Sequence, residues 1–563
     1  MLLSTLVGCL VLQSLAAQVP LCLSPDGKQS LECESASRII QSYNSAIPLD
    51  SDSLDFLPWQ LDEPPPANAT GHFVFETVNS LLQHWPNTRY RNGHAIIPGV
   101  VPKGTLLYHG ALSDKMPTSP QWTAVDPEHS MYLCRGSSDT GCWHLTLAAT
   151  RPLKVLYFDG NSAGNTGNGT NDTQDIIAWG ELRPDWWDAQ RIKDLCKWGA
   201  PYAVDGYVRM EMDFEIMLCD FTAGLEVVSS SNLVSRFIDP DTLRKSLFSF
   251  SSSMHAGSWH NRYPGATRII LDLAGIVSLY DTTLAPSLVG LRAGQERCDH
   301  RIQGISSADI EVVRRSVSRT LERHQADLSG IDWKTLFRAI VERYSGRLDL
   351  MDYLLNYTSG NDTILDQASK VQTQLRVMLT PYIFHTIVPP SASYDSAYSW
   401  ATPVFQACGT AHTSSIASYI ASLNPSERLL LRAAQETTRE ICRITTKMWA
   451  TGVLAGLDPY LPRDSTLDAA QLVRLIVTWR QELSALMAWL DWSVWVRCRP
   501  ACGPEEMCYL PSWPVNVSGG QLPFPDRVSS KHGFLMQLAG SQDEEEWRKP
   551  QPKCIRRFAP YGF

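Results

Sequence analysis

The hydrophobic periodicity changes along the chain, and this change constrains the fold more than any other feature of the sequence. Between residues 96 and 230, apolar residues fall in short β-rich runs separated by turn-rich pieces. After residue 305 they recur at the spacing of helices. The sequence therefore predicts an α+β protein in which a mixed domain precedes a mainly helical domain with a Cys-rich C-terminal tail.

The last of the predicted strands has the most informative pattern. The predicted strands cover residues 105–109, 143–148, 154–158 and 208–220. Read with a period of two, the last run places four charged side chains on one face: Arg209, Glu211, Asp213 and Glu215. Carboxylates at this spacing raise the pKa of at least one of them unless solvent, Arg209 or a ligand compensates. The pattern indicates either the solvated face of an amphipathic strand or an acid–base site.

Three helices are predicted in the second half. Ser306 and Asp309 resemble a capping box at the start of the first. Asn424 predicts the cap of the second, with Pro at its first position and Gly452 at its end. An apolar stripe from Leu472 to Val494 predicts the third, so the tryptophans along it are expected in the core rather than in a sugar-binding cleft: Trp479, Trp489, Trp492 and Trp495.

The start of the chain predicts secretion. Its apolar run ends in small residues near Ala16 and Ala17, as in a signal peptide, and no later stretch offers about 20 apolar residues without charge. We therefore expect a soluble extracellular protein. The predicted segments are a signal peptide 1–17, an extended Pro-rich segment 18–95, the α+β domain 96–230, a connecting region 231–305, the helical domain 306–497 and a disulfide-rich tail 498–563.

Cysteines and sequons agree with that compartment. Of 14 cysteines, Cys9 leaves with the leader, and the remaining odd number predicts one unpaired thiol. Local pairs are expected for Cys22 with Cys33, for Cys134 with Cys142, and within a C-terminal group whose spacing favours disulfides over zinc: Cys498, Cys502, Cys508 and Cys554. N-glycans are predicted at Asn68, Asn168, Asn171, Asn356, Asn361 and Asn516. A net charge of -9 argues against a broad nucleic-acid or membrane surface.

Three short motifs that follow one another in the first half of the chain resemble the motifs of a known fold. Leu-Tyr-His-Gly at 107–110 is followed by Trp-Thr-Ala-x-Asp-Pro-Glu-x-Ser-x-Tyr at 122–132, and by Asp-x-Glu-Ile-x-Leu at 213–218. This order resembles the His-Tyr-Glu branch of the ADP-ribosyltransferase fold, which includes diphtheria toxin, poly(ADP-ribose) polymerases and tRNA 2'-phosphotransferases. The whole chain also resembles a family of long secreted proteins of filamentous ascomycetes, which adds no mechanism.

The resemblance implies roles for five residues. His109, with Gly110 in the same motif, would bind the ribose of NAD, and Tyr132 would pack on nicotinamide. Glu215 would be the catalytic acid, because a carboxylate on the ribose 2'-hydroxyl stabilises the cation that develops as the nicotinamide bond breaks. Asp213 stands where transferases steer the acceptor. Because Asp is short, NAD glycohydrolysis is an alternative to ADP-ribosyl transfer, and no protein acceptor is specified.

Two other functions remain open. A glycan-acting hydrolase would use carboxylates among Glu211, Asp213 and Glu215 in an aromatic-lined cleft, with two of them about 5 to 9.5 Å apart. A non-enzymatic extracellular interaction or effector protein would instead have a filled cleft, with Glu215 salt-bridged to Arg209 and His109 out of reach. The sequence lacks the Gly-x-Ser-x-Gly, phosphate-loop and His-Glu-x-x-His motifs, so serine hydrolases, P-loop NTPases and zincins lose their usual support.

Overall fold

The computed structural model describes residues 58–66, 68–131, 142–163, 169–183, 188–211, 213–233, 265–323, 329–357, 363–390, 398–461, 468–510 and 548–558. Several predictions lie outside these residues: the leader 1–17, the Cys22–Cys33 pair, Cys134, Tyr132, Asn168, Asn361 and Asn516. Among the described helices, none is both long enough and apolar enough to cross a bilayer.

Thirteen α-helices form within the described residues. They are α1 Gly71–Ser80, α2 His84–Arg89, α3 Pro127–Met131, α4 Asp172–Trp179, α5 Asp188–Gly199, α6 Ser287–Arg292, α7 Ser307–Glu322, α8 Trp333–Asn356, α9 Ile364–Leu379, α10 Thr402–Thr410, α11 Ser414–Ala417, α12 Pro425–Leu454 and α13 Ala469–Leu490.

Ten of the described strands form one mixed sheet. Its strands are β1 Ala95–Val101, β2 Leu106–Ala111, β3 Gln121–Ala124, β4 Trp143–Ala149, β5 Leu153–Phe158, β6 Gly206–Met210, β7 Phe214–Leu218, β8 Leu225–Asn232, β9 Ile270–Leu271 and β10 Val277–Ser278. The order is β10-β1-β5-β6-β7-β3-β2-β4-β8, with β9 also paired to β1. Strands β5 and β6 are parallel, and the other pairs are antiparallel. The predicted α+β class and the first three predicted strands are confirmed.

Each face of the sheet packs on helices. On the first face, alternate residues such as Val208 and Ile216 join an apolar core with α1, α8, α9, α10, α12 and α13. On the second face, Tyr207 and Met217 join a smaller core with α4, α5, α6 and α7. The central strands β6 and β7 are covered on both sides, so even their charged residues Arg209 and Glu215 are buried.

Two helices of the helical half begin at their predicted N-caps. The Ser306 side chain accepts a hydrogen bond from the Asp309 backbone N–H, and Asn424 forms a full capping box with Glu427. The prediction that Gly452 ends α12 is wrong, because that glycine lies inside the helix beside Gln372. The chain turns instead near Gly456, which has a positive φ of 75°. The predicted core tryptophans do pack there, with Trp479 and Trp492 fully buried.

Three segment predictions differ from the structure. Residues 71–89 form α1 and α2 rather than an extended segment, because α1 has apolar side chains that join the first core. The predicted connecting region supplies β9 and β10. Helix α7 packs on the second face of the sheet through Val313 and Val317, rather than with the other predicted helices of the second half.

Four disulfides are present among the described residues. Two lie in the tail, as predicted: Cys498–Cys508 and Cys502–Cys554. They brace an antiparallel ribbon of β11 Glu506–Tyr509 and β12 Lys553–Arg556. Cys196–Cys219 and Cys408–Cys442 were not anticipated from local spacing. Cys142 is also disulfide-bonded, and Cys298 is free within the described part of the chain.

Candidate functional site

The acidic run folds back on itself in the middle. The prediction of one continuous strand over 208–220 is wrong: β6 and β7 form a hairpin whose turn includes Glu211 and Asp213, closed by the Glu211 N–H donating to the Asp213 carbonyl at 2.9 Å. The pairing joins Arg209 to Glu215 and Val208 to Ile216. The odd-numbered residues of β6 and β7 therefore still share one face, and the predicted alternation of side chains continues on the other side of the turn.

Glu215 is held by an arginine on the neighbouring strand. The Arg209 Nε donates to Glu215 Oε1 at 2.6 Å, and the same guanidinium bonds both Asp188 carboxylate oxygens at 2.8 and 3.1 Å. The side chains of Arg209 and Glu215 are 1% and 3% exposed. Asp188 in turn accepts from Arg191, which also binds Asp175 at 2.7 Å. The hairpin acid is thus the end of a buried chain of alternating charges.

Helix α3 brings a histidine to the same group. His129 Nε2 lies 3.3 Å from Glu211 Oε2, and both side chains are buried. Burial lowers the pKa of His129, but the hydrogen bond to Glu211 and the charges of Glu211, Glu215 and Asp213 outweigh it and raise that pKa to about 8. The buried His129 Nδ1 has no hydrogen-bond partner among the described residues. We call His129, Arg209, Glu211, Glu215 and Asp188 the sheet cluster.

Burial dominates the acids of the hairpin. It raises the pKa of Glu215 to about 7, with Glu211 adding to the rise while Arg209 and His129 oppose it. Burial, followed by a hydrogen bond with Asp126, also raises the pKa of Asp213 well above its usual value. Asp126 binds the Arg268 guanidinium at 2.9 and 3.0 Å. The predicted rise in pKa is present, but removal from water contributes more to it than like charge.

His109 lies on the other side of the sheet. Tyr108 pairs with Ala124, and Ala124 pairs with Glu215, so those three residues share one face and His109 points to the opposite one. There its Nδ1 is 2.6 Å from the Trp122 carbonyl oxygen, its ring contacts Phe221 edge-on, and burial lowers its pKa.

The structure therefore groups some predicted site residues and separates others. Glu215, Asp213 and Glu211 come together at the hairpin. His109 does not join them, and Gly110 is a buried strand residue paired with His144. Tyr132 lies outside the described residues. The sequence reading missed His129, although it stands inside the motif that begins at Trp122, because it occupies a variable position of that motif.

Three groups of side chains within the described residues have the composition of metal ligands. His129, Glu211 and Glu215 are all buried, and one donor atom from each lies within 4.8 Å of the others. A second group is Glu296, Cys298 and Asp299, near the surface. The third contains tail cysteines that are already in disulfides and so lack thiolates to offer.

The fold and the cluster define a mixed α+β protein with charged side chains buried on one face of its sheet. Sequence comparisons match the part of the chain that forms most of this sheet. Residues 66–145 and 139–239 match the family model described as the YPL277C N-terminal domain, a stretch that runs from just before α1 to just beyond β8. No solved structure matches the chain.

Two proteins of Saccharomyces cerevisiae are similar to this chain. Uncharacterized protein YOR389W is 23% identical over 540 residues, covering 79% of this chain and 82% of the relative. Uncharacterized protein YPL277C is 30% identical over 210 residues, covering 29% of this chain and 43% of the relative. The first similarity covers too much of this chain to be confined to the part that forms the sheet. The resemblance to ADP-ribosyltransferases and to secreted ascomycete proteins stays a prediction.

Proposed function

We propose that this chain is a non-enzymatic extracellular interaction protein built on an ADP-ribosyltransferase-like sheet whose catalytic acid has become a structural ion pair. The observation that carries the proposal is the Arg209–Glu215 bond at 2.6 Å, with both side chains almost fully buried. A catalytic carboxylate must touch its substrate, whereas this one is covered on its own face of the sheet.

The arrangement of the other candidate residues supports the same reading. NAD cleavage would require His109 and Glu215 to face one cleft, but the strand register places them on opposite faces. A glycan hydrolase would require two reachable carboxylates, but Glu211, Asp213 and Glu215 are each less than 10% exposed. These side chains would therefore have to be arranged differently for the protein to cleave NAD or a glycan.

The covalent chemistry supports the extracellular part of the proposal. Four disulfides among the described residues are typical of an oxidising compartment. Asn68 and Asn356 are exposed, as N-glycosylation requires, while Asn171 is half-buried at the start of α4. The partner would be bound by a surface that carries no broad positive charge, because the chain has a net charge of -9.

The test compares turnover with stability in the purified full chain. Wild type is incubated with NAD, and nicotinamide release is followed by chromatography; a panel of polysaccharides is assayed for reducing ends. We expect neither product above the buffer rate. Glu215→Gln is expected to lower the free energy of unfolding by about 1–3 kcal/mol, because it removes the charge from a buried hydrogen-bonded pair.

Glu226→Gln is the matched control, since Glu226 is exposed on the edge strand β8 and its loss should leave stability unchanged. Nicotinamide or sugar release by wild type that disappears in a folded Glu215→Gln variant would overturn the proposal. So would a Glu215→Gln variant as stable as the Glu226→Gln control, because the ion pair would then have no structural role.

A further inference from the structure

We propose that His129, Glu211 and Glu215 form a closed binding site for one divalent transition-metal ion, zinc or manganese. The inference goes beyond the proposed function and does not depend on it. A metal-free protein would leave the non-enzymatic proposal intact, and turnover that does not depend on Glu215 would leave the metal site intact.

The geometry of His129 and Glu211 is the first argument. Their nearest atoms, Nε2 and Oε2, are 3.3 Å apart. A charge-assisted hydrogen bond between these groups is normally about 2.7–2.9 Å long. Two donors that each lie about 2.0–2.1 Å from one ion at a tetrahedral angle are about 3.3–3.4 Å apart. The observed separation is long for a hydrogen bond and suits two ligands of the same ion.

The imidazole ring of His129 also favours an ion. One of its nitrogens makes only that long contact, and the other, Nδ1, is buried with no partner among the described residues. A buried ring nitrogen left without a partner costs about 1–3 kcal/mol. An ion held with Glu211 and Glu215 would bind Nε2, the nitrogen that the protein itself engages only through this long contact.

Charge provides the third argument. Glu215 shares Arg209 with Asp188, so one guanidinium serves two carboxylates. Glu211 has His129 as its ion-pair partner at 3.3 Å. A divalent ion between the two glutamates would supply positive charge where burial makes it most valuable. Arg209 would then orient Glu215 as a partner of the ligand rather than compete with the ion.

The donor set limits the kind of ion and its role. One imidazole nitrogen with carboxylate oxygens suits zinc and manganese, and the absence of a sulfur donor in the group excludes a soft-metal preference. The three side chains are 3%, 9% and 3% exposed. No substrate has room to approach such a site, so the ion would brace α3 against the β6–β7 hairpin.

The experiment uses untagged full-length protein purified from a secretory host. Elemental analysis should find about one zinc or manganese ion per chain. After chelation, calorimetric titration with Zn²⁺ and then with Mn²⁺ should restore one site and raise the melting temperature. X-ray absorption of the zinc-loaded protein should show nitrogen and oxygen donors with an imidazole signature and no sulfur.

Variants locate the site. His129→Gln and Glu211→Gln should each weaken binding at least tenfold, whereas His385→Gln, which removes an exposed histidine, should leave the affinity unchanged. If either site variant fails to fold, the stoichiometry and absorption spectrum of wild type still decide the question.

Three outcomes would overturn the proposal. The first is a wild-type protein that binds neither ion and shows no thermal shift. The second is a sulfur donor in the absorption spectrum, which would place the ion at Glu296, Cys298 and Asp299 instead. The third is a folded His129→Gln variant that retains wild-type affinity.

Discussion

The sheet cluster is buried, whereas a second polar cluster, where α1 and α2 meet the end of α13, is only partly buried, and the charges of the two clusters are compensated differently. In the sheet cluster, Arg209 lies between the carboxylates of Glu215 and Asp188, and Arg191, just outside the cluster, binds Asp188 in turn. The second, which we call the junction cluster, contains His72, Arg89, Tyr90, Arg297 and Asp491, and it relies on an aromatic ring and a neutral histidine as well as on ion pairs.

Aromatic contacts define the junction cluster. The Arg297 guanidinium lies 3.8 Å from the centre of the Tyr90 ring and donates to Thr77 Oγ1 at 3.0 Å. The Tyr90 hydroxyl donates to Asp491 Oδ2 at 2.6 Å, and Arg89 binds the same carboxylate at 2.7 Å. A ring face stabilises a desolvated guanidinium without adding a negative charge that must itself be buried.

The histidines of the two regions show the difference most clearly. Carboxylates around His129 raise its pKa to about 8. Burial, reinforced by the positive charge of Arg297, lowers the pKa of His72 to about 3. Without a bound ion, one protein therefore contains a buried histidine that favours a proton and another that resists one. The neighbouring charges decide between these states, since both rings are buried to a similar extent.

The largest expected effect comes from breaking the sheet cluster at its centre. Arg209→Met leaves Glu215 and Asp188 without their shared guanidinium and should lower the free energy of unfolding by about 3–5 kcal/mol, measured by urea denaturation. Arg151→Met is the matched control, because its pair with Asp205 is 47% exposed on the arginine side and should contribute less than about 1 kcal/mol. Equal losses in the two variants would contradict the distinction between buried and surface pairs.

An intermediate effect should appear in the junction cluster as a pH dependence. Folded His72 stays neutral to about pH 3, whereas an unfolded histidine titrates near 6.5. The unfolded state therefore binds more protons between these values, and this group reduces stability by about 2 kcal/mol as the pH falls from 7 to 5.

The variant His72→Phe tests this, because a phenyl ring can keep the stacking on Trp489. Urea denaturation of both proteins at pH 7 and pH 5 should show the variant gaining about 2 kcal/mol relative to wild type at the lower pH. Parallel stability curves across this range would mean that His72 takes up a proton in the folded state as readily as in the unfolded one.

The smallest expected effect isolates the ring under Arg297. Tyr90→Phe removes the hydroxyl but keeps the ring, while Tyr90→Leu removes both. The Leu variant should therefore be less stable than the Phe variant by about 1 kcal/mol, the typical contribution of a partly desolvated cation–π contact. Two variants of equal stability would show that Arg297 depends on its hydrogen bonds rather than on the ring.

Local signals in the sequence predicted much of the secondary structure. Helix caps at Ser306 and Asn424 were readable because each depends on residues three positions apart. The pairing of Arg209 with Glu215 was also foreseen as one of three possibilities, since alternation alone puts them on one face. The turn between them was missed because Glu-Met-Asp contains none of the glycine, proline or asparagine that marks a tight hairpin.

Long-range neighbours could not be read from spacing. His129 is 82 positions from Glu211, and nothing in the sequence around α3 indicates which strand will lie against it. The same applies to Cys408–Cys442, whose partners lie on α10 and α12. Helix α7 has a regular apolar stripe, but a stripe assigns a face to the helix and not the surface that covers it.

The crossed disulfides of the tail have a consequence for the integrity of the chain. Cys502 and Cys554 are joined across 52 positions, and the flanking strands β11 and β12 are hydrogen-bonded to each other. If a protease cuts the backbone once between residues 510 and 548, both pieces stay linked. Such a nick changes the mass by one water molecule and becomes visible as two bands only after reduction. An apparently intact chain on a non-reducing gel therefore says nothing about whether this part of the backbone is continuous.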